Sequence, residues 1–430
     1  MKRHHIKMRN QVKGLIKMGW ASLLIFGSVC GQAQIFSLAQ VLDSIKTRNP
    51  GLKQYEWKAQ ASKQLAEGVK AWEAPQAGAG LSEFPYPSAG KVDNQMAAPR
   101  KMVMIRIQQM FPNLNEKRGE QAYYQSFTRQ YLDEYHTMEN NLFSRARDAY
   151  FEAWVAEKKL AIIDAQEKQI ELLIQIAEGR LAYNKANPAN IYKAKAALSD
   201  LRSRRINLNS LVLQASAEIN GLMYRPVDAE LQVDTTSQYV QNTYAILQAD
   251  SPYLMKNRSD FRFITDQIQS LSLQQKVVAS RSRPHFGITW DNMRMASGMY
   301  MYNIMAMVTI PIAPWSSRGY QTEVKSLGNE IRSMQDQLQD QVSQALGTVR
   351  RTWLRVSAAR KDLEIYESEV IPAYEKAYQA DLNAYGENMG DIYETLDAWN
   401  EVTQKKMDYY DKLDGLLHMQ VQLQKELQQY

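Results

Sequence analysis

Few side chains in this 430-residue sequence could carry bond-making chemistry: five histidines and one cysteine. His136, His285 and His418 are the only histidines beyond the first 33 residues, and they are widely scattered. They fit neither the H-E-x-x-H spacing, which sets two ligands on one helix face, nor a Ser/His/Asp arrangement. A single thiol excludes a zinc centre built on several thiolates. No G-x-G-x-x-G or phosphate loop occurs, and paired carboxylates such as Asp133 and Glu134 fall on polar helix faces. The sequence therefore predicts no enzyme and no cofactor. One grouping does stand out. The segment 291–307 holds six methionines in 17 residues, and thioethers are soft ligands suited to Cu(I) or Ag(I). Methionine filling irregular apolar surface is the competing reading. In an alternating strand Met301, Met305 and Met307 share a face with Asn303 and Thr309, opposite Tyr302, Ile304, Ala306 and Val308.

The elements that would position these residues begin after a leader. Six basic residues and no acid occupy positions 1–17, and an apolar run from Met18 to Cys30 is too short to span a bilayer. Gly31-Gln32-Ala33 then offers small residues for cleavage, so residues 1–33 are expected to be a signal peptide. Lipid modification at Cys30 is the alternative. Removing six basic residues from 52 leaves 46 against 46 acidic ones. The net charge of +6 thus belongs to the leader, and no nucleic-acid partner is expected.

Beyond the leader the pattern is helical and doubled. Leu142, Ala146, Ala149, Ala153, Ala156, Leu160 and Ile163 recur at alternating four- and three-residue gaps, the seam of helices packed side by side. A helix over 113–183 would be roughly 100 Å long. A second rod over 315–371 repeats the pattern, softened by Gly328 and Gly347. Arg118-Gly119 recur as Arg318-Gly319, Ala182-Tyr183 as Ala384-Tyr385, and Ile191-Tyr192 as Ile392-Tyr393. One unit of about 200 residues is therefore used twice. The first repeat spans 34–223, a polar linker 224–250, and the second repeat 251–430. Each repeat has an opening helix (37–72 and 256–282) and a pair of strands (77–86 with 101–111, and 284–293 with 300–311). A long helical hairpin follows. The helical offset of 200 pairs Val103, Ile105 and Ile107 with the wrong face of 301–309, so a bulge or one-residue slip is required.

Ten alternating residues suffice to cross a membrane as a tilted strand. Backbone groups in lipid must all be paired, so the sheet must close, and four strands are too few. Three copies would supply twelve.

The mature chain resembles the TolC-like outer-membrane efflux family throughout. The resemblance rests on the leader, Phe36-Ser-Leu-Ala-Gln-Val-Leu-Asp43, Arg48-Asn-Pro-Gly-Leu52 and the doubled order of helix, strand, strand, helix. It rests also on the strand ends Gln109-Met-Phe-Pro112 and Ile310-Pro-Ile-Ala-Pro314, each followed by Arg-Gly and a rod. The resemblance implies a mainly α fold with a membrane β part: a homotrimer with a 12-stranded barrel in outer-membrane lipid and a helical periplasmic tunnel. It implies docking to a periplasmic adaptor and an inner-membrane RND pump in a Gram-negative bacterium, with the chain itself a passive conduit. It assigns a tunnel gate to Glu394 and Asp397, with Tyr385 as a gating tyrosine. The two acids lie three residues apart and share a helix face; an ordinary solvated face is the competing reading. Lys193 replaces the acid in the first repeat, and Gly390 stands where a basic latch residue is expected. The methionines and the Phe111-Pro112-Asn113 turn lean toward the heavy-metal branch of these exporters (Cu, Ag, Zn or Co). A drug-efflux or type I protein-secretion channel of the same fold, and a periplasmic coiled-coil scaffold, are the alternatives.

Overall fold

The computed structural model describes residues 34–83, 101–181, 187–236, 250–387 and 389–428. The expected leader with Cys30, the first strand-to-strand loop and residues 237–249 of the expected linker lie outside the described residues.

The chain enters through β1 (Gln34–Phe36), and Ser37 caps α1 (Leu38–Arg48). The Ser37 hydroxyl accepts from the Gln40 N–H while Gln40 Oε1 accepts from the Ser37 N–H, a reciprocal box. Pro50 ends α1, because a residue before proline is kept out of the helical region. Asn49 then caps α2 (Pro50–Gly68) by accepting from the Gly51 N–H at 2.8 Å. The helix expected over 37–72 is thus two helices. Its counterpart is also split, into α5 (Ser251–Asn257) and α6 (Ser259–Ser280), by extended backbone at Arg258.

The rods are α3 (Leu114–Leu181) and α4 (Pro188–Leu222) in the first repeat. In the second they are α7 (Pro314–Ile365), α8 (Ile371–Gly386) and α9 (Ile392–Leu427). With 68 residues, α3 is about 100 Å long. The alanine seam lies inward: Leu142, Ala146, Ala149, Ala153, Ala156 and Ile163 are buried. Gly328 and Gly347, expected to soften the second rod, leave its helix unbroken. The interruption comes instead at Pro372, which lacks an N–H and whose ring collides with the carbonyl four residues back. A π turn over Tyr366–Val370 absorbs the conflict, with the Ile371 N–H reaching back to Tyr366 O.

β2 (Gln76–Ser82), β3 (Met102–Phe111), β5 (His285–Met295) and β6 (Tyr300–Thr309) form one antiparallel sheet in the order β2-β3-β5-β6. β2 is described to Ser82, the expected residues 84–86 lying outside the described residues, and β6 stops before Pro311, which has no ladder donor to offer. Two single-hairpin units are joined edge to edge by β3 and β5. β4 (Leu231–Val233) lies in the segment expected to be a polar linker and pairs in parallel with β1. The Tyr150 hydroxyl closes this clasp: it donates to Phe36 O and accepts from the Asp234 N–H, each at 3.2 Å.

The largest core surrounds this clasp, where α1, α3, α4, α7 and α9 meet. A second cluster around Trp399 and a small third one around Tyr385 follow along the hairpins.

Candidate functional site

Two regions carry the residues singled out above. In the sheet, the register places Ile107 opposite Trp290 and Trp290 opposite Ile304. The same face carries Val103, Ile105, Phe286, Ile288, Tyr302 and Val308, and these side chains are 37–74% exposed. Contiguous apolar surface of that kind must be covered by something apolar. Ten residues at about 3.3 Å each, tilted as strands in barrels are, match an apolar band about 25 Å tall. Aromatic residues mark its ends, Phe111 and Phe286 at one and Tyr300 and Tyr302 at the other, as at a membrane interface.

The opposite face is polar. Arg106 and Asp291 are direct cross-strand partners, and the guanidinium holds the carboxylate with two bonds, Nε to Oδ1 at 2.7 Å and Nη2 to Oδ2 at 3.1 Å. Met301, Met305 and Met307 lie on this face with Asn303 and Thr309, as strand parity requires. The required slip lies between strand and rod. One residue separates Pro112 from α3, whereas two separate Pro311 from α7. The strand offset is therefore 199, and Val103, Ile105 and Ile107 join Tyr302, Ile304 and Ala306 on the apolar face.

The second region is the hairpin tip farthest from the sheet, where the ends of α3, α4, α8 and α9 meet. Asp391 caps α9 and its Oδ1 also accepts from Asn190 Nδ2 at 3.4 Å. Glu394 and Asp397 are both exposed on one face of α9, and neither forms an ion pair among the described residues. Lys193 on α4 sits over Tyr393, its Nζ 4.3 Å from the ring centroid. Tyr385 does not join the two acids: it is buried, packed with Ala177, Ile191 and Ile392. Arg180 from the other hairpin stacks on it at 4.0 Å and donates to its carbonyl at 2.9 Å. Burial pushes the Tyr385 phenol above its ordinary pKa, and the Arg180 charge pulls the other way. Gly390 folds against the end of α8, where a Cβ would come within 3.1 Å of the Tyr385 nitrogen and 3.3 Å of the Ala384 carbonyl carbon. A side chain there would make the backbone at the end of α8 give by a few tenths of an ångström.

The three histidines are placed on α3, β5 and α9. Among the described residues no group of three His, Cys, Asp or Glu could hold a metal, and no helix is long and apolar enough to cross a membrane.

The sequence matches no protein-family model and no curated protein. Solved structures do match. The outer-membrane channel OprN aligns with a TM-score of 0.72 at 15% identity, covering 91% of this chain and 89% of that one. The outer membrane protein VceC from Vibrio cholerae gives 0.68 at 13%, covering 91% and 95%. The open-state MtrE outer membrane channel of Neisseria gonorrhoeae gives 0.70 at 14%, covering 91% and 88%. This chain has the TolC-like fold. Both regions are part of it, the sheet at one end of the TolC-like rods and the acidic tip at the other.

Sequence reasoning passed over Arg106 and Asp291, although each is an isolated acid or base within an alternating apolar strand, which is itself a signal. It also passed over Arg180, for which local sequence offers no cue, since its partner lies about 200 residues away.

Proposed function

We propose that this chain is the outer-membrane component of a tripartite efflux system in a Gram-negative bacterium. It is a passive conduit that carries cargo from the periplasm to the exterior. The observation that carries this reading is the sheet: four antiparallel strands with an exposed apolar face, an ion-paired polar face and two free edges, mounted on rods about 100 Å long. A free edge in lipid is too costly to persist, so β2 of one copy pairs with β6 of the next, and three copies close a barrel of twelve. The apolar rows then face lipid and the Arg106–Asp291 row faces the lumen. A soluble scaffold would have no use for such a sheet.

The rods form the periplasmic tunnel, and their tips form its gate. Three copies bring six carboxylates from Glu394 and Asp397 around one axis, where they draw cations and repel one another. The Arg180–Tyr385 stack and the Asn190–Asp391 bond tie the two hairpins of a chain, and opening the tip requires both to yield. A periplasmic adaptor grips the rods and an inner-membrane RND pump supplies the energy. The cargo class is heavy-metal cations of the Cu, Ag, Zn or Co type. Drug or protein export is the competing cargo.

Planar-bilayer recording of the purified protein tests the conduit and gate together. Wild type should conduct weakly, and Glu394→Ala with Asp397→Ala should raise conductance several-fold. Wild-type conductance in the double variant removes the acids from the gate. Recovery of the protein in the soluble periplasm overturns the conduit. Growth of a deletion strain on copper, silver, zinc, cobalt and a drug panel tests the cargo, and unchanged metal tolerance rejects the metal assignment.

A further inference from the structure

The strands β3, β5 and β6 contain eight methionines, and pairing register sends all of them to the polar face. Methionine used as adaptable apolar filler belongs on the face that carries Val, Ile and Phe. That face has none. The sorting runs against the filler explanation and toward the chemistry of sulfur.

The methionines also fall in rungs. Met104 is directly opposite Met293, and Met293 is directly opposite Met301, so three thioethers from three neighbouring strands occupy one level. Directly opposed residues hold their Cβ atoms about 4.5–5.5 Å apart. Three rotatable bonds per side chain let the sulfurs converge above the central strand. The next rung pairs Met102 with Met295. Glycine makes room where the rungs need it. On β2 the Met104 rung ends at Gly80, where even an added Cβ would stay 3.9 Å from Met104 Cε. At the other end of the sheet, Met110 Sδ fills the space a Cβ at Gly287 would take, and Met307 stands opposite that glycine on β6.

No carboxylate stands in the Met104 rung, and Asp291, two residues along β5 on the same face, is held by Arg106. Hard divalent cations therefore find no suitable ligands, whereas uncharged soft donors favour a soft monovalent ion. We propose that Met104, Met293 and Met301 form a binding site for Cu(I) or Ag(I), with Met102 and Met295 as the adjoining station. The proposal rests on the conduit reading in one respect, that the polar face lines the lumen.

Silver(I) is the probe, because it needs no reductant. The full-length protein in detergent should bind Ag(I) saturably in a calorimetric titration. The Met104→Leu/Met293→Leu/Met301→Leu variant should lose affinity by more than about tenfold while keeping its oligomeric state. X-ray absorption of the Cu(I)-loaded protein should show a sulfur-only shell. A wild type that fails to bind Ag(I), or a triple variant that binds it equally well, overturns the site. If the triple variant fails to assemble, Met293→Leu alone removes the central ligand, and unchanged affinity there rejects the proposal. Conductance of the same preparation separates the two readings. A conducting channel that ignores silver sinks only the site, and a silver-binding protein that never conducts sinks only the conduit.

Discussion

Arg180 and Tyr385 come from different hairpins, and their stack at 4.0 Å is the closest cation–aromatic contact at the tip. Such a contact is worth on the order of 1 kcal/mol. Arg180→Ala should therefore loosen the tip and raise single-channel conductance, whereas Arg180→Lys, lacking a planar group to stack, should fall between. A second residue-scale prediction concerns acid. Burial pushes the carboxyls of Asp148, Glu152 and Asp414 up, the first of these despite His418 Nδ1 at 3.0 Å. A carboxyl raised in the folded state contributes stability that is complete below its unfolded pKa and is lost as pH rises through the folded one. Asp148→Asn should accordingly melt above wild type in mildly alkaline detergent buffer, with the gap closing as the buffer is acidified. A gap that widens with acid would reverse the assignment. Glu139 behaves oppositely: burial raises its pKa, but hydrogen bonds from His136 and Lys46 outweigh burial and hold it low, so its contribution disappears on acidification. At this scale the sequence made Glu394 and Asp397 legible, because an i,i+3 spacing fixes a shared face without help from the rest of the chain. The surroundings of Tyr385 were not legible, because its position is set by packing against Ile191 and Ala177 across the hairpins.

The rods were legible as elements because a heptad seam is a local pattern repeated many times over. Their irregularities were less so. The glycines expected to soften the second rod are tolerated inside a helix packed on its neighbours, while Pro372 forces a real change of geometry. A π turn contains one residue more than the α-helix it interrupts. Deleting exposed Ser368 should therefore convert that turn to plain α-helix, keep α8 in register and leave a folded, membrane-inserted protein. Deleting exposed Ser343 within α7 should rotate everything beyond it by about 100° and abolish assembly. Yield of heat-resistant oligomer distinguishes the two. At the tip, Gly390→Ala brings a Cβ against backbone rather than a yielding side chain. It should cost about 1–3 kcal/mol as overpacking and show as raised antibiotic leakage. In the sheet, strand existence and facing were readable from alternation. The one-residue slip was readable only as a conflict, and its location depended on the connection length before α7.

At the scale of the whole molecule, the proposed conduit needs more than one chain. With β2 and β6 each paired on one side only, the described sheet has two templates for further strands. Cysteine pairs placed along β2 and β6 should cross-link on oxidation into a ladder ending at three chains, and a ladder ending at two would refute the twelve-stranded barrel. The background is clean, since Cys30 is the sole cysteine and falls in the expected leader. Length and duplication are what lead to the proposed trimer, because four strands cannot close and one hairpin buries too little. The clasp of β1 on β4 was not legible, three residues being too short a run to distinguish from a linker. It has a consequence in time. β1 and β4 are separated by nearly the whole first repeat, so the opening residues of a chain crossing a membrane amino end first find no partner until about 200 more have followed. The first half can be fastened only when it has fully arrived, and Tyr150, which bonds to both strands, reports that arrival.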